Sequence, residues 1–330
     1  MRTSGAGQEY GVPPGYGRLA PPPAVRKDRR VTIGAQSRPG DAAPRLGWHM
    51  VPLVFAECRP VVLVMFALRF VAGASLGAPG GWIALDARAW LVVVVGVLSW
   101  TAVTAAVYLY NGIADMPGDR LNGSRRPLAS GRLPLRIAVI WCAGFAVVGI
   151  LLGATLGVWF TASVIASLLI GWWYSAGRFA ATKHVWSAAL VIGLGGILTY
   201  TAGLHAAGGI LSPQTLAIAV LLSLWMSVAG NTKDLGDIVG DREAGRRTLP
   251  VMVGMRPASW LVSAACVLVG LAGFAIPSLA GRLVAGCFVL AGAAMLAMTA
   301  RGRDLGSKRM MYAVFMVSQL AANLVIVAMA

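Results

Sequence analysis

Carboxylates are scarce in this chain: 12 Asp and Glu stand against 28 Lys and Arg in 330 residues, for a formal charge of +16. Charged residues of both signs reach only 12%, which excludes an ordinary soluble domain, where about a quarter of residues are charged. Histidine occurs 3 times and cysteine 4 times. Cys58, Cys142, Cys266 and Cys287 stand singly in or beside apolar stretches, so neither a disulfide framework nor a thiolate metal site is expected, and they read as packing residues. His184 and His205 lack partners at ligand spacing, which removes the usual basis for a catalytic histidine. What fills the chain is apolar, 58% of residues with a mean hydropathy of +0.74. A polytopic membrane protein follows.

Stretches long enough to cross a bilayer as helix, about 17–25 residues, run over 50–76, 89–110, 135–157, 159–175, 185–205, 213–231, 257–278, 281–300 and 310–330. They predict an all-α bundle of nine transmembrane helices. Charge placement tests the count, because cytoplasmic loops retain Lys and Arg. Alternate loops hold Arg120, Arg125, Arg126, Arg132 and Arg136; then Arg178 and Lys183; then Lys233, Arg242, Arg246, Arg247 and Arg256; then Arg301, Arg303, Lys308 and Arg309. The opposite loops hold only Arg88 and Arg282. A multi-pass cell-membrane protein with a cytoplasmic N-terminus is expected, its basic excess facing the lipid bilayer rather than a nucleic acid.

Residues 1–47 read as a separate, disordered cytoplasmic tail, carrying Pro13, Pro14, Pro21, Pro22, Pro23 and the basic run Arg26, Lys27, Arg29, Arg30 without apolar periodicity. The tail lacks the apolar core of a signal peptide. Residues 48–330 form the transmembrane domain.

Six of the 12 acidic residues fall in two clusters where long apolar segments end, Asn111-x-x-x-Asp115-x-x-x-Asp119 and Asn231-x-x-Asp234-x-x-Asp237-x-x-x-Asp241-x-Glu243. At 100° per residue, Asn111 and Asp115 share one helix face, as do Asn231, Asp234, Asp237 and Asp241. Pro117 and Gly118 are expected to end the first helix, leaving Asp119 on a loop. Stacked carboxylates repel unless a cation lies among them, and hard oxygen donors without His or Cys suit Mg²⁺, which completes its shell with water and substrate phosphate. The order Asp119-Arg120-x-x-Gly123-x-Arg125-Arg126 is echoed about 122 positions later by Asp241-Arg242-x-x-Gly245-Arg246-Arg247. Guanidinium groups beside a carboxylate-held cation suit phosphate oxygens. A phosphorylated substrate is the expectation.

Asn111-Gly112-Ile113-Ala114-Asp115-Met116-Pro117-Gly118-Asp119-Arg120 with Arg126-Pro127-Leu128-Ala129-Ser130-Gly131, and Lys233-Asp234-Leu235-Gly236-Asp237-Ile238-Val239-Gly240-Asp241-Arg242 with Thr248-Leu249-Pro250-Val251, resemble the two aspartate-rich motifs of the UbiA-type intramembrane prenyltransferase superfamily. Tyr174-Ser175 followed by Arg178 and Lys183 is similar to its tyrosine-and-lysine loop, and Arg59-Pro60 to the start of its first helix. The likeness covers about residues 57–330. Gly112 departs from it, since many members carry a second acidic residue there, as does the Pro117-Gly118 pair.

The resemblance implies a nine-helix bundle around a central cavity, with a polar cytoplasmic cap that binds a prenyl diphosphate through Mg²⁺. Asn111, Asp115 and Asp119 would hold one ion and Asp234, Asp237 and Asp241 a second. Asp115 and Asp237 with Lys183 and Arg178 would carry catalysis, and Arg126, Lys183, Arg178 and Tyr174 would hold the diphosphate. The acceptor implied is lipophilic or aromatic, a phenol or quinone precursor. The same metal site also serves a terpene cyclase, in which the substrate's own double bonds trap the cation. A cation or phosphate-linked transporter expects its ionisable groups near the bilayer midplane, whereas the clusters lie at one face. Arg69, about nine residues inside the first span, is an intramembrane charge and on that ground a candidate for touching the diphosphate, beside the readings of a snorkelling or structurally paired residue.

Overall fold

The computed structural model describes residues 47–78, 80–121, 123–302 and 309–330. The tail expected over 1–47 lies outside them, Gly47 excepted. The described residues form helices α1 (Val51–Glu57), α2 (Pro60–Gly77), α3 (Ala87–Leu121), α4 (Leu135–Ala154), α5 (Val158–Ser175), α6 (Val185–Ala206), α7 (Pro213–Ala229), α8 (Ile238–Glu243), α9 (Leu249–Val253), α10 (Met255–Gly273), α11 (Leu279–Ala300) and α12 (Arg309–Ala328). Among the described residues nine helices are long and apolar enough to cross a membrane. The chain is an all-α, multi-pass membrane protein, as its composition requires.

Three local outcomes differ from the sequence expectation, and each bears on the polar cap. The stretch over 50–76 is two helices, α1 and α2, separated at Arg59, which takes a left-handed conformation with φ 58° and ψ 79°. A residue before proline is disfavoured in the right-handed helical region, so the chain turns there and restarts with Pro60 at the head of α2. Its neighbour Cys58 is buried, and burial pushes the thiol up to about 12, which suits packing rather than reactivity.

The second difference is α3, which runs through Pro117 to Leu121. Proline at position 117 removes one main-chain donor, a loss that membrane helices absorb near a polar end. Asp119 is therefore helical rather than on a loop. The third concerns the second cluster. Helix α7 tightens after Ala229 into a 3₁₀ segment, Gly230–Gly236, and Asp237 breaks it with φ −116° and ψ 22° before α8 begins. Asn231 turns its amide back on the Ser227 carbonyl at 2.7 Å. Asn231, Asp234, Asp237 and Asp241 thus do not lie on one α-helical face.

The repeated Asp-Arg-x-x-Gly order has a conformational cause. Gly123 (φ 64°) and Gly245 (φ 67°) are left-handed. In each copy the glycine N–H donates to the Arg carbonyl three residues back, Gly123 to Arg120 at 3.2 Å and Gly245 to Arg242 at 3.1 Å. The next N–H donates to the Asp carbonyl, Ser124 to Asp119 at 2.9 Å and Arg246 to Asp241 at 2.8 Å. Both are Schellman helix ends, for which glycine is favoured because it lacks the Cβ that opposes a positive φ.

Within the bundle, α2 and α6 approach closely through Gly73 and Gly203. A Cβ on Gly73 would collide with the Tyr200 carbonyl, and one on Gly203 with that of Phe70. Small residues permit such contact, which drives helix association where lipid offers no hydrophobic contrast. The two fully buried tryptophans keep their N–H groups partnered: Trp100 donates to the Thr199 hydroxyl at 3.2 Å and Trp225 to that of Ser318 at 3.1 Å. Trp225 also stacks on Phe288 with ring centroids 4.2 Å apart.

Candidate active site

The two acidic clusters meet at Arg246. Its Nη2 is 2.7 Å from Asp115 Oδ1, at the end of α3, and its Nη1 is 3.6 Å from Asp241 Oδ1, in α8. Asp241 is buried and its Oδ2 accepts a 3.1 Å hydrogen bond from Thr248. Burial pushes the Asp241 carboxyl above the usual carboxylate range, while the Thr248 hydroxyl and Arg246 favour its ionised form. Asp234 is half-buried, with Lys233, Asp241, Arg246 and Asp237 in its electrostatic surroundings.

The segment after α5 is tied to the same place. Lys183 accepts a 2.7 Å hydrogen bond at its carbonyl from the Arg247 N–H, and Val185 N–H donates to the Arg247 carbonyl at 3.1 Å. This single parallel bridge sets Lys183 alongside the chain that carries Arg246. Tyr174, in the last turn of α5, accepts a 2.9 Å hydrogen bond at its hydroxyl from Lys233 Nζ, which also lies 5.6 Å from the ring centroid. The adjacent Ser175 hydroxyl accepts from Asn111 Nδ2 at 3.0 Å. Arg178 stands apart from these contacts, exposed, with its guanidinium 4.6 Å over the Phe179 ring.

Asp119 and Arg126 form a second ion pair at 2.8 Å. Arg126 Nη2 also lies 2.6 Å from Glu57 Oε1, at an angle too poor for a hydrogen bond, and the other Glu57 oxygen accepts the Leu128 N–H at 3.0 Å. Glu57 is fully buried. It sits over Gly112, where a Cβ would strike Glu57 Oε1 and lie 2.7 Å from Arg126 Nη2. The departure at Gly112 is thereby explained, since the space a side chain would fill holds the Glu57–Arg126 pair. Sequence reasoning missed Glu57 because it precedes the motifs and belongs to no cluster. Its only signal is a carboxylate among apolar residues.

Of the residues expected at the site, Asp115 and Asp241 share a guanidinium, Asp119 and Arg126 pair, and Asn111 joins α3 to the end of α5. Asp237 is exposed beside them. Among the described residues no three His, Cys, Asp or Glu side chains are grouped closely enough to hold a metal ion by themselves. Arginines stand between the carboxylates instead. All the cluster donors are carboxylate or amide oxygens, and such a set suits Mg²⁺, which takes few protein ligands and fills its octahedron with water and phosphate oxygens.

Comparison with known proteins agrees with this geometry. The family model described as UbiA prenyltransferase family matches residues 64–323. The digeranylgeranylglyceryl phosphate synthase of Halobacterium salinarum is 34% identical over 219 residues, covering 66% of this chain and 72% of that one. The bacteriochlorophyll synthase 33 kDa chain of Cereibacter sphaeroides is 27% identical over 186 residues, covering 56% of this chain and 61% of that one. In fold the chain is similar to a UbiA homolog from Archaeoglobus fulgidus, solved bound to GPP and Mg²⁺, with a TM-score of 0.61 at 20% identity over 82% of this chain and 99% of that one. With this match over most of its length and the two aspartate-bearing helix ends brought together, the chain belongs to the UbiA prenyltransferase family and is a membrane-embedded prenyltransferase.

Proposed function

We propose that the protein transfers an isoprenyl group from a prenyl diphosphate to a small aromatic acceptor, a phenol or quinone precursor, in a Mg²⁺-dependent reaction at the cytoplasmic face of the cell membrane. The observation that carries this reading is the convergence of Asp115 and Asp241 on Arg246 at 2.7 and 3.6 Å. Two carboxylate-bearing helix ends and a bridging guanidinium are what a cation-plus-diphosphate site needs before it is loaded. Asn111, Asp115 and Asp119 would hold one Mg²⁺, and Asp234, Asp237 and Asp241 a second. Bound there, Mg²⁺ supplies positive charge that neutralises the leaving diphosphate.

The chain's own groups do the rest. Lys183 and Arg178, with Arg126, bind diphosphate oxygens and stabilise the charge that develops as the allylic C–O bond breaks and its electron pair leaves with the diphosphate. Tyr174, held by Lys233, stands beside that leaving group. The surrounding apolar helices exclude water, so the allylic cation survives to meet the acceptor, which contributes the electron pair of the new bond and loses a proton. Apolar walls also bury the isoprenoid chain, at about 0.8 kcal/mol for each CH₂.

The test is incubation of membranes containing the protein with geranyl, farnesyl and geranylgeranyl diphosphates and Mg²⁺, with and without phenolic acids, followed by mass analysis. Prenylated acceptor is expected, and chelator should abolish it. Product formed without any acceptor would replace transfer by cyclisation, and turnover undiminished in chelator would overturn the metal assignment.

A further inference from the structure

Arg69 lies on α2 nine residues past Pro60, about 14 Å along the helix at 1.5 Å per residue, and is only 4% exposed. Protein atoms cover the side chain, so Arg69 points into the bundle and does not snorkel along the lipid surface. Among the described residues no carboxylate pairs with it. Its guanidinium packs 4.6 Å from the Phe66 ring, and its Nε is buried without a hydrogen-bond partner. The Tyr200 hydroxyl on α6 is a hydrogen-bonding neighbour of the guanidinium, and the Tyr108 ring on α3 meets the Phe66 ring with centroids 6.0 Å apart.

Beside it is a second unsatisfied group. Gln319 on α12 is fully buried, donates through Nε2 to the Tyr200 hydroxyl at 2.9 Å and leaves Oε1 without a partner. The Tyr200 hydroxyl in turn donates to Asn323 Oδ1 at 2.8 Å. Four helices therefore converge on a buried cation that no anion among the described residues balances. An uncompensated charge inside a membrane protein is costly, and its default explanation is a ligand. The depth says which one. Tyr108 precedes Asp115 by two helical turns on α3, and its ring meets at 6.0 Å the Phe66 ring on which Arg69 packs, which sets Arg69 near the level of Tyr108, about 10 Å along α3 from the carboxylates at 1.5 Å per residue. That is beneath the diphosphate layer, on the side where the reactive carbon meets its acceptor.

Resting on the prenyl-transfer reading, we infer that Arg69, Tyr200 and Gln319 form a subsite for the anionic head of the acceptor, a carboxylate or a phosphate monoester. The guanidinium N–H groups donate to the anion and Gln319 Oε1 accepts from any hydroxyl the head retains. A neutral acceptor would leave the Arg69 charge without a counter-ion, so the subsite selects by charge.

The experiment measures binding, by calorimetry, to the full chain in nanodiscs with Mg²⁺ and a non-ionising geranyl thiolodiphosphate in the donor site. The probes are 4-hydroxybenzoate against 4-hydroxybenzamide, and dodecyl phosphate against dodecanol. One anionic probe is expected to bind at least about tenfold more tightly than its neutral twin, the scale of one charge-assisted hydrogen bond. Arg69→Gln should erase that preference while the thiolodiphosphate affinity stays within about twofold. Gln319→Glu, which supplies an internal counter-ion beside the guanidinium and keeps the helix packing, should erase it too. No preference in the wild type for either anion, preference retained in Gln319→Glu, or a donor affinity that falls as far as the probe's in Arg69→Gln would overturn the subsite. A wild-type chain that does not bind the thiolodiphosphate at all would instead remove the prenyl-transfer reading, and this inference with it.

Discussion

Asp115 and Arg246 are 131 positions apart in the chain and 2.7 Å apart in space. The same guanidinium reaches Asp241 at 3.6 Å, so one cation holds together carboxylates from the two motifs. Burial works against the Arg246 charge, but Asp115 and Asp241 outweigh it and leave its pKa above the usual value.

The carboxylates are expected to be indispensable to turnover and dispensable to folding. Asp115→Ala or Asp237→Ala should abolish product formation, with membrane insertion and size-exclusion profile unchanged. Full activity in either variant would remove that residue from the site.

Arg246 lies between Asp115 and Asp241, the carboxylates proposed for the two separate Mg²⁺ ions. Arg246→Gln is expected to raise the KM for prenyl diphosphate about tenfold, the worth of one charge-assisted contact, and to lower the half-saturating Mg²⁺ concentration, because the carboxylates lose a competing cation. Kinetics over a Mg²⁺ titration check both, and parallel increases would contradict the competition.

Asp241 carries the pH dependence. Its carboxyl is raised above the ordinary range by burial, so a proton competes with Mg²⁺ at a higher pH than at an exposed aspartate. As pH falls from about 7 to about 5, across the approach to the carboxylate range, the half-saturating Mg²⁺ should rise in the wild type. Read by calorimetric Mg²⁺ binding rather than turnover, Asp241→Asn should show a weaker rise, and an equal one would assign the titration elsewhere.

The Glu57–Arg126 pair is expected to stabilise the cap. Removing one member of a buried pair costs about 3–5 kcal/mol when the other is left uncompensated; Arg126 keeps Asp119 at 2.8 Å, so Glu57→Ala should lower the thermal midpoint by less than that. Gly112→Ala should do so by overpacking, about 1–3 kcal/mol, since its Cβ is driven into Glu57 Oε1. Thermal unfolding followed by tryptophan fluorescence measures both, and unchanged midpoints would show the pair to be idle.

Lys183 contacts its neighbours through its main chain, accepting from Arg247 N–H at 2.7 Å, which a side-chain change leaves intact. Lys183→Ala should therefore weaken prenyl diphosphate binding by more than it disturbs the thermal midpoint, and an unaltered donor affinity would take the ammonium out of the site.

Composition and the spacing of apolar runs were enough to read nine membrane helices, because crossing a bilayer demands about 20 apolar residues in succession and that demand is written locally. The acidic clusters and their glycine-ended echo were legible for the same reason, a Schellman end at Gly123 and Gly245 being a matter of a few adjacent residues. Which carboxylate meets which cation was not. Arg246 on Asp115, Glu57 over Gly112, and Arg69 beside Tyr200 and Gln319 join positions on different helices, and only the packing of those helices sets such distances. The two helix ends also escaped a periodicity argument. Pro117 was absorbed within α3 while Asp237 broke the second segment without a proline, because main-chain conformation there answers to what the surrounding helices leave room for.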